Sequence, residues 1–210
     1  MKIAVIGAGN VGGTLAVALA RKGHAILLGV RDPVAKRYQD LARRIGNDTR
    51  VVGVRDAATS AEAILLATPW SATQSVLEKL AGALEGKIIL DCTNPITADF
   101  KLALGHTSSG GEMVAAWAKG AHVYKVFNTI GYNIMEDPVL DERPALMLVC
   151  GDNSEHKQKV LQIAKDVGFE AQDFGKLENA RLLEPMALAW IQLAFQQGLG
   201  RNFAFGLLRR

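Results

Sequence analysis

The stretch Lys2-Ile3-Ala4-Val5-Ile6-Gly7-Ala8-Gly9-Asn10-Val11-Gly12 decides the architecture of this chain. Its first five residues are an apolar run of the kind found in buried parallel strands, and Asn10 to Arg21 carries the spacing of a helix. Each glycine between and beyond them has a separate task. Gly7 permits the tight turn out of the strand, Gly9 lets backbone approach a pyrophosphate, and Gly12 lets the helix pack closely on the sheet. A helix that starts at such a turn offers unpaired N–H groups and partial positive charge to an anion. Glycines also gather in ordinary turns, so the context matters. Gly23-His24 closes the helix, and Ala25-Ile26-Leu27-Leu28-Gly29 supplies a second apolar run, completing a βαβ unit of the length a dinucleotide fingerprint demands.

The residues after that second run select the nucleotide. An acidic side chain there would accept hydrogen bonds from an NAD ribose. Here Val30 is followed by Arg31, whose guanidinium suits the 2′-phosphate of NADP through planar, charge-assisted bonds. Lys36 and Arg37 follow one turn later. Asp32 is the competing signal, as a ribose acceptor, although it also suits the start of a turn with Pro33. Because Arg31 comes first and basic residues surround it, the sequence predicts NADP.

A chain of 210 residues with 49% hydrophobic content buries a sizeable core and fits one domain, or a domain with a modest extension. The net charge of +3 is mild, and its basic residues do not interleave with aromatics, which argues against nucleic acid binding. Cys92 and Cys150 are too few for a disulfide framework and sit at the ends of apolar runs, pointing to a reducing compartment. Met1-Lys2 leads straight into a strand, and no apolar stretch reaches the roughly 18 to 20 residues of a membrane span. A soluble, cytoplasmic protein is expected.

Further apolar runs at 51–54, 63–67, 87–91 and 122–127 alternate with helical stretches, including 71–82 and 111–119, the latter capped by Ser108 or Ser109. This alternation predicts an α/β fold, a Rossmann-like doubly wound parallel sheet, over residues 1–137. Residues 138–210 read as an extension packed on it: a small β-α-β unit with strands at 145–150 and 169–174 around a helix at 154–167, then a largely helical tail over 176–208. Leu182, Leu183, Met186, Leu188, Trp190, Ile191 and Leu193 are too apolar to leave in water. They predict packing on the sheet, over the ligand, or in a homodimer.

In an open α/β sheet the ligand crevice lies beyond the carboxyl ends of the strands. The residues found there are Thr68-Pro69-Trp70, Thr93-Asn94-Pro95 and Asn128-Thr129-Ile130-Gly131. Turn chemistry alone also explains such residues. A dehydrogenase acting on an alcohol needs a group to pass the hydroxyl proton, and no such constellation appears, so no catalytic residue is assigned. Lys125 and Asn128 imitate the Lys-x-x-Asn pair of β-hydroxyacid dehydrogenases, but period-two alternation in a strand would point them apart. His24, His106, His122 and His156 lack ligand spacing, Asp91 and Cys92 lack a base, and no zinc pattern exists. NADP binding without a proton relay implies hydride passing to another cofactor whose own ring does the chemistry. Trp70, Ile96, Ile130 and the C-terminal helices would supply apolar walls for two stacked rings.

These residues resemble the NADPH-dependent coenzyme F420 reductase family, which includes the nucleotide-binding domain of the STEAP metalloreductases. The likeness spans nearly the whole chain and is carried by residues 6–12, 28–33, 68–70, 93–95, 126–129 and the ending from Gly198 to Arg209. The resemblance implies NADP contacts at Gly9, Asn10 and Val11, a 2′-phosphate site at Arg31 with Lys36, and nicotinamide contacts at Thr68 and Pro69. It places the acceptor beside Asn94-Pro95 and Asn128-Thr129-Ile130. Archaeal members usually carry serine where this chain has Val30, and His-Thr-Ile-Pro where it has Asn128 to Gly131, so F420 and a flavin both stand as acceptors. Two other readings stay open: a hydroxyacid or imine dehydrogenase using Lys125, and a non-enzymatic NADP sensor.

Overall fold

The structure, a computed structural model, describes residues 1–46 and 48–210. The first half alternates strand and helix as β1 (Lys2–Ile6), α1 (Asn10–Arg21), β2 (Ala25–Val30), α2 (Lys36–Ile45), β3 (Arg50–Gly53), α3 (Val54–Ser60), β4 (Ala63–Leu66), α4 (Trp70–Lys79), β5 (Ile88–Asp91), α5 (Gly110–Trp117) and β6 (His122–Lys125). A short α6 (Tyr132–Met135) and a hairpin of β7 (Val139–Leu140) and β8 (Arg143–Pro144) lead to β9 (Leu146–Gly151), α7 (Ser154–Val167), β10 (Glu170–Asp173) and α8 (Ala180–Ile191). Among the described residues eight strands form one sheet, in the order β10-β9-β6-β5-β4-β1-β2-β3.

The strands from β3 to β6 are all parallel, and β1 pairs with β2 on one side and β4 on the other. Chain direction along the sheet reverses there, which opens a crevice at the carboxyl ends of β1 and β4. Both faces are covered, so these strands read as continuous apolar runs: every residue of β4 and β5 is buried. One cluster centred on Val5, Leu15, Leu28 and Leu90 fills one face, and another around Ile6, Leu66, Leu77 and Ile89 fills the other.

Two findings refine the sequence expectation. The small β-α-β unit is internally parallel, but β9 joins β6 antiparallel through Tyr124 opposite Gly151 and Lys125 opposite Cys150. The link from β6 stays at the carboxyl end of that strand, so no crossover is needed to bring β9 alongside. The tail is helical only as far as a π turn over Gln192–Gln196. The amides of Leu199 and Gly200 bend back onto the carbonyls of Leu193 and Ala194 and close the last turn. Beyond it the chain runs without regular structure. Phe203 stacks on Trp190 with ring centroids 5.1 Å apart, and Phe205 accepts a hydrogen bond from the Leu146 amide.

Ser109 does cap α5, accepting from the Glu112 amide and donating to its carboxylate. Leu183 and Trp190 are buried as expected, whereas Leu182, Phe195 and Leu199 are more than half exposed. No helix among the described residues is long and apolar enough to cross a membrane.

Candidate active site

A cleft of about 770 Å³ opens where β1, β2, β4 and β5 end. Gly7, Gly9, Asn10, Val11, Val30, Arg31, Thr68, Pro69, Trp70 and Asn94 line it, as do Arg37, Tyr38, Cys92, Thr93 and Tyr132. The glycine turn forms its floor. Gly7 has φ +100, and a Cβ there would lie 2.4 Å from the Ala67 carbonyl oxygen. A Cβ on Gly12 would lie 2.2 Å from the Gly7 oxygen, which is why Gly12 faces protein rather than the cleft.

Gly9 differs from both. Its backbone, at φ −85, suits any residue, and a Cβ would meet nothing within 4 Å. The protein alone therefore gives no reason for glycine at this position. Space kept open on the floor of a cleft, beside a helix start, is what close approach of a ligand requires. The first intrahelical bond of α1 is the Gly13 amide to the Gly9 carbonyl, leaving the amides of Asn10, Val11 and Gly12 before it, and no side chain caps the helix. Arg31, Arg37 and Lys79 line the cleft, and no aspartate or glutamate does so among the described residues. A site with free amides, three cations and an open floor fits a pyrophosphate-bearing nucleotide.

At the end of the cleft where β2 stops, Arg31 is exposed. Asp32 turns away from the cleft, its carboxylate accepting from the Val34 amide at 3.3 Å in the turn with Pro33. Lys36 begins α2 outside the lining. Arg37 takes the place beside Arg31, its guanidinium 4.5 Å from the centre of the Tyr38 ring and donating to the Tyr38 hydroxyl at 2.8 Å. The sequence shows Arg37 among the basic residues after β2 but does not single it out.

At the other end, Asn94 reaches the cleft, while Pro95, Asn128, Thr129 and Ile130 are buried behind it. Asn128 holds Asn94 in place: the Asn94 amide donates to the Asn128 carbonyl at 2.9 Å, and the Asn128 amide donates to Asn94 Oδ1 at 3.0 Å and to the Leu183 carbonyl at 3.2 Å. Tyr132, which the sequence reading did not place in the site, closes this end, with Arg201 stacked 4.3 Å above its ring.

Lys125 proves to be part of a sealed ionic cluster. It is 0% exposed, and its ammonium donates to the Thr93 carbonyl at 2.8 Å and pairs with the carboxylates of Asp91 and Glu184, 2.7 Å from Oδ2 of the first and 2.9 Å from Oε1 of the second. Sealed from solvent between two carboxylates, the ammonium does not reach the cleft lining. This corrects the reading in which Lys125 serves a hydroxyacid or imine dehydrogenase. Burial opposes the ammonium charge, but the carboxylates of Asp91 and Glu184 outweigh it and hold Lys125 protonated above the usual lysine range. Glu184 also accepts from the Gly110 and Gly111 amides at 2.8 and 2.9 Å, so it caps α5 while gripping β6. Cys92 is no nucleophile: burial, assisted by the charge of Asp91, raises its thiol well above the ordinary range.

The sequence matches the family described as NADP oxidoreductase, coenzyme F420-dependent, over residues 2–95. An F420-dependent NADP reductase of Methanocaldococcus jannaschii is 30% identical over 199 residues, covering 88% of each chain. This chain belongs to the F420-dependent NADP reductase family. It is an NADP-dependent oxidoreductase. A crystal structure of an Arthrobacter protein superposes on this chain with a TM-score of 0.89 at 30% identity, covering 100% of both chains. Metalloreductase STEAP3 of Rattus norvegicus is 32% identical across 89% of this chain, but the chain spans only 36% of that protein.

Gly9→Ala leaves the urea midpoint of the reductase unchanged within error and weakens NADPH binding at least tenfold by calorimetry, whereas Gly7→Ala lowers the midpoint itself. Stability should also fall at high pH. Burial pushes Cys150 and Tyr124 up to about 12 from 9.0 and 10.0, and Cys92 and Lys125 are raised as well. The folded state holds protons that the unfolded chain releases, so stability is full below about pH 9 and is lost as pH rises from there toward 12. Urea midpoints measured across that window check the sign, and Lys125→Met, which strands two carboxylates, costs about 3–5 kcal/mol at neutral pH.

Proposed function

We propose that the reductase moves a hydride between NADPH and a deazaflavin such as F420, or a flavin-like ring, held in the same cleft. The observation that carries this reading is the character of the cleft. Among its described lining residues there is no histidine, aspartate or glutamate, its thiol is held neutral, and the neighbouring lysine is sealed. A lining without histidine or carboxylate suits transfer between two rings that need only alignment and exclusion of water. NADPH supplies the hydride from its nicotinamide ring. Arg31 and Arg37 would hold the adenosine-side phosphate, the amides at the start of α1 the pyrophosphate, and Thr68 and Pro69 the nicotinamide. Trp70 and Tyr132 provide flat apolar wall, Trp70 being braced by Trp117 with ring centroids 5.3 Å apart. Asn94, fixed by Asn128, would face the acceptor.

The names of the archaeal relatives support F420 as the acceptor, and the test is direct. Single-turnover oxidation of NADPH is followed with F420, FMN or FAD supplied to the purified protein. Fast turnover with F420 and slow turnover with the flavins is the expected result, and no turnover with any of the three would overturn the reading. In the same assay Arg31→Glu should weaken NADPH at least tenfold more than NADH, and equal losses would remove the phosphate assignment.

The exposed Leu182, Phe195 and Leu199 we assign to contact with a second copy of the chain in the cytoplasm. Light scattering should then report about twice the 22.5 kDa of one chain. A monomer at micromolar concentration would refute the contact.

A further inference from the structure

We infer that Thr73, buried in α4 and absent from the cleft lining, fixes the direction of the Thr68 hydroxyl and makes the site select a carboxamide over a carboxylate on the bound ring. The inference rests on the reading that a nicotinamide lies beside Thr68.

Thr68 stands at the carboxyl end of β4 against the glycine turn, where a Cβ on Gly7 would come within 2.7 Å of its amide nitrogen. Its Oγ1 lies 2.8 Å from Thr73 Oγ1, which in turn lies 3.0 Å from the Pro69 carbonyl oxygen. A carbonyl only accepts, and each hydroxyl has one proton. Both contacts are hydrogen bonds in one arrangement alone: Thr73 donates to Pro69, and Thr68 donates to Thr73. Reversing the chain would set the Thr73 oxygen against the Pro69 oxygen at 3.0 Å with no proton between them. Thr73 is 0% exposed, so bulk water has no access to repair that contact.

The Thr68 proton is therefore committed inward, and lone pairs are what the hydroxyl offers to the cleft. An amide N–H is matched by that surface. A carboxylate of the same shape brings no hydrogen and meets lone pair with lone pair. A threonine without this partner would turn its proton toward either group, so Thr73 is a positioning residue that converts an ambivalent hydroxyl into an acceptor.

The test compares binding of NADP and its nicotinic acid analogue, which differ only in carboxamide against carboxylate, by calorimetry on the unaltered protein and three variants. The analogue's extra charge acts equally in all of them, so the ratio of the two affinities isolates the hydroxyl. The unaltered protein should favour the amide about tenfold or more, Thr73→Ser should keep that ratio, and Thr73→Val should cut it about fivefold by tightening the acid. Thr68→Val, on the half-buried wall, should also lower the ratio, and it tests the claim even if Thr73→Val does not fold. An unchanged ratio in Thr73→Val or Thr68→Val, with NADP still bound, overturns the inference and leaves the cleft assignment standing. Failure of the unaltered protein to bind NADP at all removes both.

Discussion

The ionic cluster of Asp91, Lys125 and Glu184 is the constraint on which the arrangement of this molecule turns. Its members come from β5, β6 and α8, which are far apart in sequence, and they meet with side chains 0–1% exposed. One ammonium faces two carboxylates, so the surplus negative charge must be met elsewhere. The amides of Gly110 and Gly111 meet it at Glu184, and the amide and hydroxyl of Thr93 meet it at Asp91. Each of those donors is held where the cluster dictates. An apolar trio of equal volume would cost no more, and often less. What such a trio lacks is directionality. The cluster fixes where α8 crosses the sheet and where the strand-end loop at Thr93 and Asn94 lies.

That loop is one wall of the cleft, which connects the buried charge to the site without putting it in the site. Lys125 binds the Thr93 carbonyl, and Asn128 spans from Asn94 to the Leu183 carbonyl, one residue before Glu184. The same stretch of α8 therefore supports the loop by two routes. Asn128, Thr129 and Ile130 stand in the sequence at a strand end, where ligand residues are sought, yet all three are buried, and Asn128 supports a wall whose surface belongs to Asn94 and Tyr132.

The glycine turn, the βαβ unit, Arg31 and the strand-end segments were legible in the sequence because each depends on local geometry: a turn, a helix start, a strand terminus. The antiparallel junction of β6 with β9 was not, since nothing in the residues of either strand records the direction of its neighbour. Arg37 replaced Lys36 in the lining for a related reason. Which of two adjacent basic residues on a first helical turn faces the cleft depends on how α2 is rotated, and its pairing with Tyr38 shows that rotation only in space. Glu184 did leave a trace. Ala180, Leu183, Glu184, Ala187 and Trp190 follow the spacing of a buried helix face, and a carboxylate on that face requires a cation. Lys125, within an apolar strand, poses the same question from the other side. Read together, the two residues answer each other.

The cleft that results is polar at one end and chemically quiet at the other. Arg31, Arg37 and the first amides of α1 gather at one end, where the charge of a nucleotide would be met. Near the ring positions the lining consists of aromatic side chains, hydroxyls already engaged with protein partners, an amide held by another amide, and a thiol kept neutral by burial. Groups whose hydrogen bonds are satisfied before a ligand arrives do not reorganise during reaction, and they lend the surface a fixed shape. Hydride exchange between two flat rings asks for little else: the distance and the angle between them, held while water is kept out. The sealed lysine contributes to that by its very inaccessibility. Its charge, held on the supports behind Thr93, stiffens that wall without entering the cleft lining.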